Sequence, residues 1–89
     1  MKPVLVTTEH RGVFGGLVED GYDTTTIPDE IFLRDARMAI RFSDGDGVLG
    51  LCDEGPRNSL ISAAAPELTL NKITAIAAIS GKAWERWCA

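Results

Sequence analysis

Between Ala36 and Ser43 the chain repeats with a period of two. Ala36, Met38, Ile40 and Phe42 are apolar, and Arg37, Ala39, Arg41 and Ser43 stand between them. This is the repeat of a β-strand that turns one face to a core. It predicts Ala36, Met38, Ile40 and Phe42 inside, and Arg37 and Arg41 together on the opposite face, roughly 13 Å apart. The run ends at Asp44-Gly45-Asp46-Gly47, residues suited to a turn. A half-apolar strand is unstable alone, so the rest of the chain has to supply neighbours and a cover.

The flanking sequence supplies them. Pro3 to Thr8 and Val13 to Glu19 are β-branched and apolar, and they are separated by the polar turn Glu9-His10-Arg11-Gly12. Gly15 and Gly16 interrupt the second run and predict a bulge or a sharp bend. Asp20-Gly21 is a hairpin signal, and Tyr22 to Asp29 reads as an exposed loop. Glu30 to Leu33 is a short strand that meets the central one at Arg34-Asp35, a turn or bulge. Val48 to Glu54 suits a strand or one to two helical turns, and the following Gly55-Pro56, a helix stop, favours the helix. Ser59 to Ser62, Glu67 to Leu70 and Ile73 to Ile79 read as strands; the last is apolar on both faces and is expected to be central or covered. Ser80 is a candidate N-cap for a closing helix over Gly81 to Ala89, with Trp84, Trp87 and Cys88 on one face. The predicted fold is mainly β: a small bent antiparallel sheet or open β-barrel, with a short helical segment and a terminal helix.

At 89 residues this is a single domain, 1–89, with room for one modest core, and self-association to a homo-oligomer would bury more surface. The double-tryptophan helix is the first candidate for that contact. A net charge of −4 argues against duplex nucleic acid, whose binding needs a basic face. No apolar run has the length of a signal peptide core or a membrane span, which predicts a cytoplasmic protein that binds no membrane. Cys52 and Cys88 form no Cys-x-x-Cys pair, and one histidine does not complete a zinc set, so reduced thiols are expected over a Cys52–Cys88 disulfide.

No spacing in the chain dictates a reaction. Asp44-Gly45-Asp46-Gly47 fails as a calcium loop, because Val48 and Leu49 occupy the positions that need an oxygen ligand and a glycine. Gly12-Val13-Phe14-Gly15-Gly16 lacks the Gly-Lys-Ser/Thr of a phosphate loop. His10 has no second histidine or nucleophile elbow beside it, and reads as a solvated turn residue. The chain is therefore expected not to be an enzyme, with no catalytic residues, no metal site and no cofactor. The arginines carry more chemistry. Arg11, Arg37, Arg41 and Arg57, with Asn58 and Ser59 beside the last, suit phosphate and ribose, and Phe14, Tyr22 or Trp87 offer rings for a base. The competing reading pairs those arginines with some of the 13 carboxylates on the surface.

Lys2 to Phe14, Leu33 to Arg37, Gly47 to Leu51 with Gly55-Pro56, Leu68 to Leu70 with Ile73 to Ile76, and Ala83-Trp84-Glu85 together resemble a family of small bacterial and phage proteins of unknown function. That family is similar to phage anti-defence proteins that counter the Thoeris system by binding a cyclic ADP-ribose signal without cleaving it. The resemblance implies a non-catalytic sponge, a homo-oligomer of small β-barrels with helices, acting in the host cytoplasm if phage-encoded. This chain departs from the family's pattern at Gly15, where a larger residue is usual, at Arg41-Phe42, where an aromatic such as tryptophan is usual, and in a longer Tyr22–Asp29 loop. The ligand-binding set expected from the chemistry is Arg11, Phe14, Arg37, Arg41, Arg57, Asn58 and Ser59, around a small signalling nucleotide. The alternative is an acidic protein-binding inhibitor or adaptor with no small-molecule ligand, motivated by the many carboxylates.

Overall fold

In a computed structural model, which describes residues 1–10, 12–41, 47–57 and 59–89, the chain runs through six strands and two helices. The strands are β1 (Lys2–Thr8), β2 (Val13–Val18), β3 (Glu30–Arg41), β4 (Leu60–Ile61), β5 (Ala65–Asn71) and β6 (Ile73–Ala78). Helix α1 (Gly47–Asp53) lies between β3 and β4, and α2 (Gly81–Cys88) follows β6. All strand pairs are antiparallel, in the order β4-β3-β2-β1-β6, with β5 also on β3. The mainly-β class with a short helix and a terminal helix agrees with the sequence reading. The sheet is an open one and not a closed barrel, since β5 and β6 do not pair with each other.

One residue explains the curl of this sheet. β5 pairs with β3 and β6 pairs with β1, yet only Lys72 separates them. The two ends of the ladder must therefore approach each other at that corner. Lys72 takes φ 55°, the left-handed turn that lets an extended chain change direction in one step. Its carbonyl accepts a 3.0 Å hydrogen bond from the Glu9 amide. β6 is thereby an end strand with Thr74, Ala75 and Ala78 exposed, and not the covered central strand its apolar composition suggested.

The curl makes two cores. Val4 and Val6 point into the concave side with Val18, Ile31, Leu33 and Ala36. Leu5 points the other way, toward α1 and α2, with Val13, Ala39, Leu51, Cys52, Ile79, Ala83 and Trp87. β1 is thus buried on both faces, which is why its sequence is an unbroken apolar run.

The expected break at Arg34-Asp35 is a bulge inside one long strand. Gly15 pairs with Arg37 and Leu17 with Arg34, so β3 carries one extra residue there, and Asp35 absorbs it at φ 52°. Beyond the bulge, Ala36 is buried as predicted, but Met38 and Ile40 are 38% and 55% exposed. The cause is strand length. β5 stops pairing at Ala36 and β2 at Met38, so the end of β3 outruns the strands that would cover that side. Ala39, assigned to the outer face with the arginines, is buried under the helices instead. Phe42, the fourth predicted core residue, lies outside the described residues.

The helices are tied to each other before they are tied to the sheet. The Ser80 side chain caps α2 by accepting from the Ala83 amide at 3.0 Å, and its hydroxyl donates to the Asp53 carbonyl at 2.9 Å. The Ser80 amide also donates to the Cys52 carbonyl. α1 ends where the Glu54 and Gly55 amides both reach the Gly50 carbonyl, with Gly55 at φ 86°.

Candidate functional site

The described members of the predicted ligand set do not gather in one place. Phe14 is half-buried against the concave core, while Arg37, whose strand partner is Gly15, lies on the opposite, helix-covered face. The Arg37 guanidinium donates to the Asp35 carbonyl at 3.2 Å and to its carboxylate at 3.0 Å, and sits 5.4 Å from the centre of the Trp84 ring. It is a structural clasp holding α2 to the bulge. Arg41 is exposed at the end of β3. Arg57 and Ser59 lie in the segment between α1 and β4, the first exposed and the second half-buried. Arg11 and Asn58 lie outside the described residues, as does the Asp44–Asp46 part of the acidic turn. Trp87, a candidate stacking ring, is buried, with its Nε1 donating to the Leu51 carbonyl at 2.9 Å. Trp87 thus turns the tryptophan face of α2 onto its own sheet.

A cleft of about 370 Å³ opens elsewhere, where the end of β2 meets the start of β3. Leu17, Val18 and Ile31 form its apolar lining, and Phe32 and Arg34 project into it from β3. The Arg34 guanidinium lies 5.6 Å from the centre of the Phe32 ring, a cation–π pair that holds a positive charge over an apolar surface. Met1, Glu19, Tyr22 and Glu30 complete the rim. Tyr22 is fixed by its backbone: its carbonyl accepts from Lys2 Nζ at 2.8 Å and its amide donates to the Glu19 carbonyl. The next turn is fixed by Asp23, which accepts from the Thr25 amide and from the Thr25 and Thr26 hydroxyls. The Thr25 hydroxyl above all holds that carboxyl below its ordinary pKa.

None of the five described residues of the expected ligand-binding set lines this cleft, whereas Tyr22, offered as a ring for a base, does. Phe32 and Arg34 form a period-two pair on one strand, but the turn or bulge expected at Arg34-Asp35 leaves Arg34 out of the expected ligand set. The Tyr22 loop carried no sign of where it folds back.

Among the described residues no cluster of three or more His, Cys, Asp or Glu is placed to hold a metal. His10 is exposed in the β1–β2 turn. Cys52 and Cys88 are both free thiols, the first buried and the second exposed. No described helix is long and apolar enough to cross a membrane.

No curated protein and no solved structure matches the chain. The profile of a family described as a domain of unknown function, DUF6948, matches residues 1–87, and the chain belongs to that family.

Proposed function

We propose that this chain is a non-catalytic binding module that sequesters a small signalling nucleotide, in the manner of the anti-defence sponges it resembles, and that the ligand sits in the β2–β3 cleft. The observation that carries the reading is the Arg34–Phe32 pair in an apolar cleft with Tyr22 on its rim. A guanidinium stacked on a ring meets an anionic group without first losing a carboxylate partner, and two aromatic rings offer faces to a base. Glu19 and Glu30 accept hydrogen bonds from ribose hydroxyls or base amino groups. The cleft's volume is at the lower end for a ligand site. One arginine facing two carboxylates suits a ligand with a single phosphate charge, such as a cyclic mononucleotide, better than a pyrophosphate of the ADP-ribose type.

Calorimetry against cyclic mononucleotides, cyclic dinucleotides, cyclic ADP-ribose and adenosine tests this. The expected result is saturable binding of a nucleotide that is recovered chemically intact, weakened at least about tenfold in Arg34→Ala. Absence of heat with every nucleotide at low salt overturns the nucleotide reading. Turnover of the bound nucleotide overturns the non-catalytic one.

A further inference from the structure

We infer that the outer edge of β6 is the self-association surface of this protein, and that its occupant is β6 of a second copy, added antiparallel to continue the sheet. The inference starts from the phase of the hydrogen bonds. The Ile79 amide donates to the Pro3 carbonyl at 3.1 Å, and the register runs Val4 to Ala78, Leu5 to Ala77, Val6 to Ile76 and Thr7 to Ala75. In an antiparallel ladder successive residues alternate which neighbour they bond. Ala75, Ala77 and Ile79 therefore turn their N–H and C=O groups toward β1, and Ile76 and Ala78 turn theirs outward. Among the described residues no backbone group pairs with those outward groups, and no strand or helix lies along that side of β6.

An open edge of this kind is ordinarily guarded by a charge, a proline or a covering loop, because it is a template for another strand. Ile73-Thr74-Ala75-Ile76-Ala77-Ala78 contains no charge and no proline. Of the other strands along an end of the sheet, β5 contains Pro66 and Glu67, and β4 is only two residues long. The neutrality also selects the partner. The chain carries a net charge of −4, so two copies repel over most of their surfaces, and an uncharged edge is where they approach at least cost. A two-fold axis through Ala77 places Ile76 opposite Ala78 of the partner subunit and Ala78 opposite the partner's Ile76. Each such pair exchanges two backbone bonds, about four in all. The irregular register at Thr74 ends the flat segment on one side, and the start of α2 ends it on the other. This surface replaces the tryptophan face of α2, which the fold has already used.

Two measurements on the full chain test the inference. Sedimentation over the micromolar to millimolar range is expected to show a species of twice the chain mass. Ala78→Pro is expected to return it to the monomer, because the deleted N–H faces away from β1 and the intramolecular ladder keeps its bonds. Amide hydrogen exchange is read in parallel, so that a variant that fails to fold does not decide the matter. The Ile76 and Ala78 amides are expected to gain at least about tenfold protection as wild-type concentration rises, while Ala75 and Ala77 stay protected throughout. A monomer at every concentration overturns the inference. So does a dimer in which the Ile76 and Ala78 amides exchange as fast as in the monomer.

Discussion

The backbone of Gly15 lies directly against the ring of Trp87: a Cβ at Gly15 would stand 3.0 Å from the indole Cε3 and Cζ3 atoms. The adjacent glycine does the same on the other face, where a Cβ at Gly16 would stand 2.8 Å from the Leu33 Cβ. The two glycines let both cores close down on β2 at one point. Trp87 has little freedom to retreat, because its Nε1 is bonded to the Leu51 carbonyl. Gly15→Ala is expected to lower stability by about 1–3 kcal/mol through overpacking. Gly21→Ala, where nothing stands within 4 Å of the added carbon, is expected to change it by less than about 0.5 kcal/mol. Urea unfolding followed by tryptophan fluorescence gives both values.

The exposure of Ile40 and the burial of Leu33 divide a strand whose sequence looks uniform. Leu33→Ala is expected to cost about 2–5 kcal/mol, as for a fully buried leucine. Ile40→Thr is expected to cost less than about 0.5 kcal/mol, since its side chain is already largely in water and threonine keeps the β-branch. Equal losses at the two positions would mean that Ile40 packs against something in solution. The comparison uses thermal and urea unfolding of the two variants side by side.

The order of strands and helices was legible because each boundary carries local chemistry: Asp20-Gly21, Gly55-Pro56 and the Ser80 cap all act within a few residues. The bulge at Arg34-Asp35 was visible as a break for the same reason. Its consequence was not. Whether Met38 and Ile40 are covered depends on where β2 and β5 stop, which is set by pairings with distant segments. The site suffered more. Arg37 follows the competing reading, a pair with a carboxylate, and the partner is Asp35, only two residues away in the strand. The left-handed turn at Asp35 brings them to 3.0 Å. Arg34 and Tyr22 line one cleft only because the loop after β2 folds back, and its local turn signals do not say which strand it returns to.

Lys72 is the corner of the sheet, and the left-handed region it occupies is unfavourable for a β-branched residue. Lys72→Val is expected to destabilise the fold by about 1–3 kcal/mol. Lys72→Gly is expected to fall within about 1 kcal/mol of the parent, because relief at the turn is offset by the greater freedom of glycine in the unfolded chain. The exposed lysine side chain contributes little to either difference. Thermal unfolding of the pair separates backbone strain at this residue from loss of its side chain.

The two thiols should behave differently although both have pKa values raised by burial. Cys52 is enclosed between α1 and the sheet, whereas Cys88 is exposed at the end of α2. A maleimide at mildly alkaline pH is expected to modify Cys88 alone in the native protein and both thiols in denaturant. Mass spectrometry of the adducts reads this directly. A protein that takes no label in denaturant without reductant, and two labels in denaturant with it, would show a disulfide where the structure has two free thiols.

Glu54 gives the fold a pH dependence whose sign follows from its surroundings. The carboxylate accepts a 2.8 Å charge-assisted bond from Lys82 Nζ and lies 3.7 Å from Arg86 Nη1, which together hold its pKa below the ordinary 4.5, with Lys82 the larger cause. A carboxyl whose pKa is lower in the folded state binds protons more readily when unfolded. Its stabilising contribution is therefore complete above pH 4.5 and is lost as the pH falls through the native-state value. The group is at the surface, so the contribution is small and shrinks with added salt. Glu54→Gln retains the carbonyl that accepts from Arg86 at 2.9 Å and removes only the charge. The variant is expected to melt below the parent at neutral pH, and the difference is expected to close as the pH falls through the lowered native-state value of Glu54, below which both side chains are neutral. A difference that persists undiminished in acid would mean that Glu54 acts through packing and not through its ion pair.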